Sequence, residues 1–329
     1  MRIGLLFDRV DCDEAGLADQ LAGWEVADFR DWRSRPGELL ARCRSVDVLV
    51  TGKHSPVLPE ALADDSGRLR YICHTRGVVK AYVPRRVVES GVVLSNWGDA
   101  PTAGVAELAL ALLLAQLHQL HLRDRLSRGG GVPLRWQAYP TAFAGLRVGV
   151  YGCGGIGRRF AEMCRALGMA VTAYDPWAAV WPDGVARATD LDALFAGSHA
   201  VSIHAGLSEA TSGSVDANRL ARLPDGGILV NTARGGIVDE AALAAEVARG
   251  RLLAACDVIA NEADWSASPL AATPVALLTG HGAHRAVPPP GIPAERWSLP
   301  VFAVENLRAW REGREVANRI DLPTYDRTT

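Results

Sequence analysis

The chain has 329 residues, of which 49% are hydrophobic and 22% charged, and its formal charge is −2 at pH 7. This composition is that of an ordinary globular protein, and the near-neutral charge lacks the electrostatic footprint that nucleic-acid binding requires. The length exceeds the size at which a single hydrophobic core stops growing, so we expect two domains.

Cysteine usage and the N-terminus bear on the compartment. The six cysteines form no CxxC pair and no metal-ligand spacing, which favours reduced thiols and predicts no metal site. The opening MRIGLLFD is a short apolar stretch that ends at Asp8 and lacks the small-residue cleavage site of a secretory signal, so the pattern disfavours such a signal. The most apolar stretch, residues 103–122, carries Glu107 and Gln116, so it predicts a buried helix rather than a membrane span. We therefore expect a cytoplasmic protein with neither a membrane nor a nucleic acid as partner.

In the first part of the chain, short β-branched runs alternate with helical patterns. The predicted strands cover residues 2–7, 25–29, 46–51, 70–74 and 92–95, and a helix is predicted at 36–43. A long apolar helix is predicted from about residue 102 to the glycines at 129–131, where the chain would form a hinge. Such alternation is typical of a parallel sheet covered by helices.

A second series of the same kind begins at residue 146. Further strands are predicted at 171–174, 200–204, 227–231, 253–257 and 275–279. The segment 301–312 has helical spacing of apolar residues at Val301, Val304, Leu307 and Trp310, so it predicts a helix that docks one stripe, and we expect it to return to the first domain.

The segment LRVGVYGCGGIGRRF places a GxGxxG motif directly after a predicted strand and at the start of a helix. Gly152 permits the tight turn, Gly154 lets a pyrophosphate approach the backbone, and Gly157 lets the helix pack closely on the strand. With Gly155 and Ile156, they form a predicted turn at a helix N-terminus, where unpaired N–H groups and the helix dipole attract phosphate.

The strand after this motif ends at Asp175. A carboxylate there accepts hydrogen bonds from the adenosine ribose hydroxyls and repels a 2′-phosphate, which favours NAD over NADP. A lone GxGxxG leaves open a glycine turn that binds nothing, or an S-adenosylmethionine site on the same fold. With strand, helix and Asp175 in register, the pattern predicts a Rossmann domain that binds NAD.

Three further pieces follow in order, namely VNTARGGIVDE with Arg234, CDVIANE with Asp257 and Glu262, and LLTGHGAH with His281. Together with the GxGxxG, they resemble the D-isomer-specific 2-hydroxyacid dehydrogenase family over nearly the whole chain. The resemblance implies an α/β protein of two Rossmann- or flavodoxin-like domains with parallel sheets and a cleft between them. Residues 1–98 plus 291–329 would form the substrate-binding domain and 99–290 the NAD-binding domain, in a homodimer.

The resemblance also assigns roles. Reduction of a 2-keto acid needs a proton as hydride reaches C2, and histidine suits that exchange. His281 would be the acid and base, Glu262 its partner, and Arg234 the group that binds the substrate carboxylate and polarises the carbonyl. Asp257 would hold the nicotinamide carboxamide. The remaining cofactor contacts implied are His204, Thr232 and Ala233.

The predicted substrate loop departs from the family, because HTRGVVKAY stands where RAGVGVDN is usual. The resemblance still implies that the backbone of Gly77, Val78 and Val79 binds the substrate carboxylate. The nearby loops also carry the basic residues Lys53, His54, Arg76 and Lys80. We hypothesise that one or two of them reach a second anionic group on the substrate; the alternative is that they are solvated surface cations. After His281, the prolines at 288–293 prevent the usual helix from continuing.

The sequence therefore predicts an enzyme that moves a hydride between NAD(H) and C2 of a small 2-hydroxy or 2-keto acid. Under the hypothesis above, this acid carries a second anionic group. An NAD-sensing scaffold, as in corepressors that resemble this family, is the alternative. The trio of Arg234, Glu262 and His281 favours the enzyme. A formate-type dehydrogenase is disfavoured by Glu262, since formate enzymes place a neutral amide beside the histidine.

Overall fold

The structure, a computed structural model, describes residues 1–7, 17, 20–52, 54–129, 142–282 and 299–327. It divides into two compact units, one of Met1–Pro101 with Ala286–Thr329 and one of Thr102–Arg285. The domain limits expected from the sequence, at residues 98 and 290, stay a prediction. Each unit is built on one parallel sheet.

The first sheet has the strand order β2-β1-β3-β4-β5, which is the flavodoxin-like arrangement. Its strands are β1 (Arg2–Leu6), β2 (Glu25–Asp28), β3 (Val48–Thr51), β4 (Tyr71–His74) and β5 (Val93–Ser95). Every residue of β3 and β4 is buried, as expected for strands covered on both faces. All five predicted strands are confirmed, with ends shifted by one or two residues.

The second sheet has the order β12-β11-β10-β9-β6-β7-β8, and all its strands are parallel. They are β6 (Arg147–Tyr151), β7 (Ala170–Tyr174), β8 (Ala186–Arg187), β9 (Ala200–Ile203), β10 (Gly227–Asn231), β11 (Leu252–Cys256) and β12 (Leu277–Leu278). The chain reverses its direction of advance between β6 and β9, and ligands of such sheets bind beyond the strand carboxyl ends at that point. Strand β8 was not predicted, and the predicted strand at 275–279 is limited to two residues.

The α-helices, in chain order, are α1 (Leu39–Arg44), α2 (Arg85–Glu89), α3 (Thr102–Leu117), α4 (Leu120–Ser127), α5 (Gly155–Ala166), α6 (Leu191–Ala196), α7 (Ala217–Leu220), α8 (Glu240–Ala248), α9 (Leu299–Arg311) and α10 (Leu322–Arg327). Short 3₁₀ helices cover Trp32–Ser34, Pro36–Glu38, Glu60–Leu62, Gly235–Ile237 and Trp265–Ala267. The helix predicted at 36–43 is thus a 3₁₀ turn followed by α1.

The long helix predicted from residue 102 is wrong as a single element. Helices α3 and α4 meet at a bend of 51°, and Gln119 between them has a left-handed φ of 48°. In the part of the chain that the structure covers, no single helix is long and apolar enough to cross a membrane. The bent pair, taken together, has the length and composition of a membrane span. Ala106, Ala109, Leu113 and Leu117 of α3 are buried in the core of the second unit.

Helix α9 packs on the first sheet, as its apolar spacing predicts. Val304 and Leu307 belong to the same buried cluster as Ile3 of β1, and the Trp310 and Tyr71 rings lie 5.0 Å apart. A second cluster covers the opposite face of that sheet. The first unit therefore has two apolar layers around one sheet, with the strand carboxyl ends left for loops.

Candidate active site

The glycine loop after β6 has the geometry that a dinucleotide requires. Gly152 has a φ of 92°, and a Cβ on it would collide with the backbone at Ala205; a Cβ on Gly157 would collide with the Gly152 carbonyl. A Cβ on Gly154, by contrast, would meet nothing within 4 Å. Two glycines thus serve close packing, while the third leaves open space beside the backbone where a pyrophosphate can approach.

Helix α5 begins directly behind this space. Gly155 is its first residue, Ile156 follows, and no side chain caps the N-terminus at Gly154. The first N–H groups of an α-helix have no partner within the helix, so they are available to an anion. The loop and helix therefore fit the phosphates of a dinucleotide.

Asp175 follows β7 and ties the glycine loop to that strand. Its Oδ2 accepts a hydrogen bond from Cys153 N at 2.7 Å, and its Oδ1 accepts one from Trp177 N at 2.8 Å. Burial and the Asp175 carboxylate together raise the pKa of the Cys153 thiol. The carboxylate thus shapes the loop, and its expected contact with a ribose stays a prediction.

His204 and Thr232 lie just beyond the ends of β9 and β10. The His204 ring is 4.9 Å from the Phe160 ring of α5, and its Nε2 is 2.9 Å from Ser202 Oγ. Burial lowers the pKa of His204 to about 3, so the ring is neutral and supports the helix. Thr232 Oγ1 is buried with no hydrogen-bond partner among the described residues, which is a group that a bound ligand could satisfy.

The Arg234 loop is shaped by Asn231, which the sequence reasoning did not single out although it lies in the same motif. Asn231 Nδ2 donates to Arg234 O at 3.0 Å, and its Oδ1 accepts from Ala233 N at 3.0 Å. The Arg234 guanidinium donates to Ala233 O at 2.7 Å. Burial lowers the pKa of Arg234, and the negative charge of Glu262 opposes that shift, so the two side chains interact.

His281 and Glu262 form a side-chain pair. His281 Nδ1 lies 2.6 Å from Glu262 Oε2. The two side chains are 39% and 38% exposed, so a ligand can reach them. The His281 backbone has a left-handed φ of 56°, a conformation that residues other than glycine rarely adopt and that is frequent at functional sites.

Asp257 holds the loop that carries His281. Its buried Oδ1 accepts hydrogen bonds from Thr279 Oγ1 at 2.7 Å and Gly282 N at 2.9 Å. Its backbone carbonyl also accepts a hydrogen bond from His281 N at 2.6 Å. Asp257 therefore fixes both flanks of the histidine, and Thr279 is a further residue of the site that sequence reasoning missed. The expected contact of Asp257 with nicotinamide stays a prediction.

In the first unit, the loop after β4 is tightly packed. Arg76 is buried, and its guanidinium carbon lies 5.6 Å from the centre of the Trp97 ring. Gly77 O accepts a hydrogen bond from Asn96 Nδ2 at 3.0 Å. Val78 is half-buried and Val79 is fully buried. The role of residues 76–79 in substrate binding stays a prediction.

The other cations of the anion hypothesis differ in placement. Lys53 lies outside the described residues, as do the prolines at 288–293. His54 is exposed and has a left-handed φ of 66°. Lys80 Nζ donates to Asp326 O at 2.8 Å and lies 6.0 Å from the Tyr325 ring, so this ammonium is engaged by α10 rather than held ready for a substrate.

Comparison with known proteins identifies the family of the chain. The family model described as "D-isomer specific 2-hydroxyacid dehydrogenase, NAD binding domain" matches residues 110–283. The hydroxypyruvate reductase of Thermotoga maritima is 33% identical over 219 residues, which are 66% of this chain and 70% of that protein. The D-3-phosphoglycerate dehydrogenase of Mycobacterium tuberculosis is 34% identical over 283 residues, 80% of this chain but 52% of that protein. The chain thus spans about half of that longer relative.

A solved structure of a 2-hydroxyacid dehydrogenase from Ketogulonicigenium vulgare shares the fold, with a TM-score of 0.79 at 24% identity over 97% of this chain and 98% of that one. The family match covers the glycine loop, Arg234, Glu262 and His281. The chain belongs to the D-isomer specific 2-hydroxyacid dehydrogenase family and is an NAD-dependent oxidoreductase that interconverts 2-hydroxy and 2-keto acids.

Proposed function

We propose that His281, Glu262 and Arg234 are the catalytic residues of this dehydrogenase. The observation that carries the proposal is the 2.6 Å contact between His281 Nδ1 and Glu262 Oε2, in a partly exposed pair whose carboxylate acts electrostatically on Arg234. An imidazole oriented by a carboxylate is a recurring device for moving protons, because the carboxylate fixes the ring and its tautomer.

Under this proposal, the two ring nitrogens of His281 have different roles. Nδ1 is engaged with Glu262, so proton exchange with the substrate oxygen falls to Nε2. In reduction, Nε2 donates its proton to the carbonyl oxygen, and in oxidation it accepts the hydroxyl proton. Glu262 stabilises the positive charge that the ring carries while it is protonated.

Arg234 serves the substrate anion. Burial disfavours its positive charge, and a carboxylate opposite the guanidinium would compensate that cost. The planar fork of donors can bind a carboxylate through two parallel hydrogen bonds, which orients C2 and polarises the adjacent carbonyl. Lysine lacks this fork, so it is not an equivalent replacement.

NAD(H), when bound, supplies or accepts the hydride. The glycine loop and the first turn of α5 would hold its pyrophosphate, and Asp175 would bind the adenosine ribose. The residues proposed to line the rest of the cofactor site are Thr232, Ala233 and Asp257, with His204 behind them. Asp175 carries a negative charge toward the ribose, which favours NAD over NADP.

The names of the relatives direct the search for a substrate. By these names, the two relatives act on three-carbon acids, hydroxypyruvate in one case and a phosphorylated acid in the other. We therefore propose a small 2-keto acid, and we retain Lys53, Arg76 and the backbone of Gly77, Val78 and Val79 as proposed substrate contacts. A cytoplasmic homodimer belongs to the same proposal, and sedimentation of the purified chain tests its oligomeric state.

The test is NADH oxidation by the full chain with 2-keto acids graded by substituent, from hydrogen through methyl and hydroxymethyl to phosphorylated hydroxymethyl. We expect turnover with at least one of them. A strong preference for the phosphorylated acid would support recognition of a second anionic group. Firm NADH binding without turnover of any acid would contradict the proposal and favour the NAD-sensing scaffold.

A further inference from the structure

Glu262 lies on an exposed loop that has little regular structure. Strand β11 ends at Cys256, and the next regular element is the 3₁₀ helix Trp265–Ala267. Residues 260–264 between them are all exposed. An exposed loop makes few buried apolar contacts, so something else must hold the Glu262 carboxylate against His281.

One side chain from another element contacts both ends of this loop. Glu240, the first residue of α8, accepts a hydrogen bond from Ala260 N at 2.8 Å through its Oε2. Its Oε1 accepts a second one from Ser268 Oγ. Ser268 is buried, and its hydroxyl oxygen also accepts a hydrogen bond from Leu270 N at 3.2 Å. A single carboxylate thus closes residues 260–268 into a loop of fixed span.

Glu240 does not act as an ordinary acid at a helix start. Such residues are common there because the helix dipole favours negative charge. In α8, however, Asp239 is the N-cap and accepts the hydrogen bond from Ala242 N at 2.9 Å. Because the cap is supplied by its neighbour, both Glu240 oxygens are used on the loop, 20 and 28 residues away in sequence.

The beginning of this loop, at residues 259–260, also contacts the segment that carries Arg234. A Cβ on Gly235 would collide with the backbone at Ile259 and Ala260, so the two segments are in direct contact. Position 235 therefore has room for glycine alone. The segment that carries Arg234 and the loop that carries Glu262 are therefore packed against each other, and the hydrogen bonds of Glu240 in α8 hold this loop in place.

We propose that Glu240 is a positioning residue, which acts on the reaction through Glu262 by keeping that carboxylate against His281 Nδ1. This inference rests on the proposed roles of Glu262 and His281. A shift of about 1 Å in such a pair can cost up to about 100-fold in rate, so loosening the loop should be visible in kcat. It should not affect cofactor affinity, because Glu240 contacts none of the residues proposed to hold NAD.

The test is a set of variants in the full-length enzyme. Glu240→Ala should lower kcat by up to about 100-fold with unchanged KM and NADH affinity. Glu240→Gln should retain most of the rate, because the amide oxygen can still accept from Ala260 N. Glu246→Ala is the matched control: Glu246 lies on the same helix and pairs with Arg249 and Arg251, so its loss should lower stability and leave kcat unchanged.

A double-mutant cycle with Glu262→Gln separates the possibilities. If Glu240 acts through Glu262, Glu240→Ala should add little to the loss already caused by Glu262→Gln, and a crystal structure of Glu240→Ala should show the Glu262 to His281 contact lengthened or lost. Additive losses, or an unchanged kcat in Glu240→Ala, would overturn the inference alone. A Glu262→Gln variant with normal kcat would overturn the proposed pair as well. Should Glu240→Ala fail to fold, Ser268→Ala removes one of the two contacts between Glu240 and the loop, together with the Leu270 N contact of the same hydroxyl, and enters the same cycle.

Discussion

Each of the two parallel sheets places a histidine at or just beyond the carboxyl end of a strand, and their surroundings are opposite. In the first unit, His74 ends β4 with its ring fully buried, its Nδ1 2.8 Å from Thr51 Oγ1 and its centre 5.0 Å from that of Tyr82. In the second unit, His281 follows β12, is 39% exposed and faces the Glu262 carboxylate.

The environments decide what each histidine can do. Burial, with a further contribution from the Arg76 charge, lowers the pKa of His74 to about 3, so this ring stays neutral and serves packing. His281 has an anionic partner and access to ligands, which are the conditions for proton transfer. Position at a strand end is therefore not enough to assign catalysis; exposure and the partner of the ring must both be known.

The largest effect should come from His281→Ala. General acid–base catalysis contributes about 10²- to 10⁴-fold, and kcat should fall by that amount while NADH affinity, measured by fluorescence titration, stays unchanged. His74→Asn is the matched variant in the other sheet, and the folded protein should keep its kcat. Equal losses in the two variants would remove the distinction between the two histidines.

The glycine loop offers a second contrast within the second unit. Gly157→Ala places a methyl group against the Gly152 carbonyl, so it should cost roughly 1–3 kcal/mol of stability and abolish NADH binding. Gly154→Ala meets open space, so the thermal midpoint should be unchanged while NADH affinity falls. Normal NADH affinity in Gly154→Ala would mean that no pyrophosphate approaches there.

The buried histidine should be visible in the pH dependence of stability. The pKa of His74 falls from 6.5 to about 3 on folding, so the unfolded chain binds the extra proton and stability is lost as pH falls from 6.5 toward 3. One such group contributes a slope of about 1.4 kcal/mol per pH unit between those values. His74→Asn should reduce the slope by that amount in urea unfolding; identical slopes would show that folding does not lower the pKa of His74.

The smallest effect is expected for Lys80→Met. Its ammonium binds Asp326 O on the surface, and an exposed contact of this kind contributes little to stability. The KM for a phosphorylated 2-keto acid should be the same in both proteins, in a steady-state assay. A marked rise in that KM would show that Lys80 reaches the substrate.

Much of the fold could be predicted because buried parallel strands contain short apolar runs with β-branched residues, as in residues 48–51 and 227–231. The break at Gln119 could not, since apolar residues continue on both sides and glutamine gives no sign of a left-handed backbone. Likewise, the two-residue β8 has too few residues to show a period.

For the site, the glycine spacing and the three motifs identified the chemical groups, but not the contacts that orient them. The hydrogen bonds that Glu240 accepts from Ala260 N and that Asp257 accepts from Gly282 N join positions far apart in sequence. Local patterns do not encode such pairs, so neither brace was predicted. Residue types therefore indicate the reaction, while long-range contacts determine the geometry that performs it.

The most direct test is a crystal structure of the enzyme with NAD and an unreactive 2-keto acid analogue. We expect the analogue to accept hydrogen bonds from His281 Nε2 and, through its carboxylate, from the Arg234 guanidinium, with the Nδ1 contact to Glu262 retained. An analogue bound beside the nicotinamide with neither side chain in contact would contradict the assignment of these residues to catalysis.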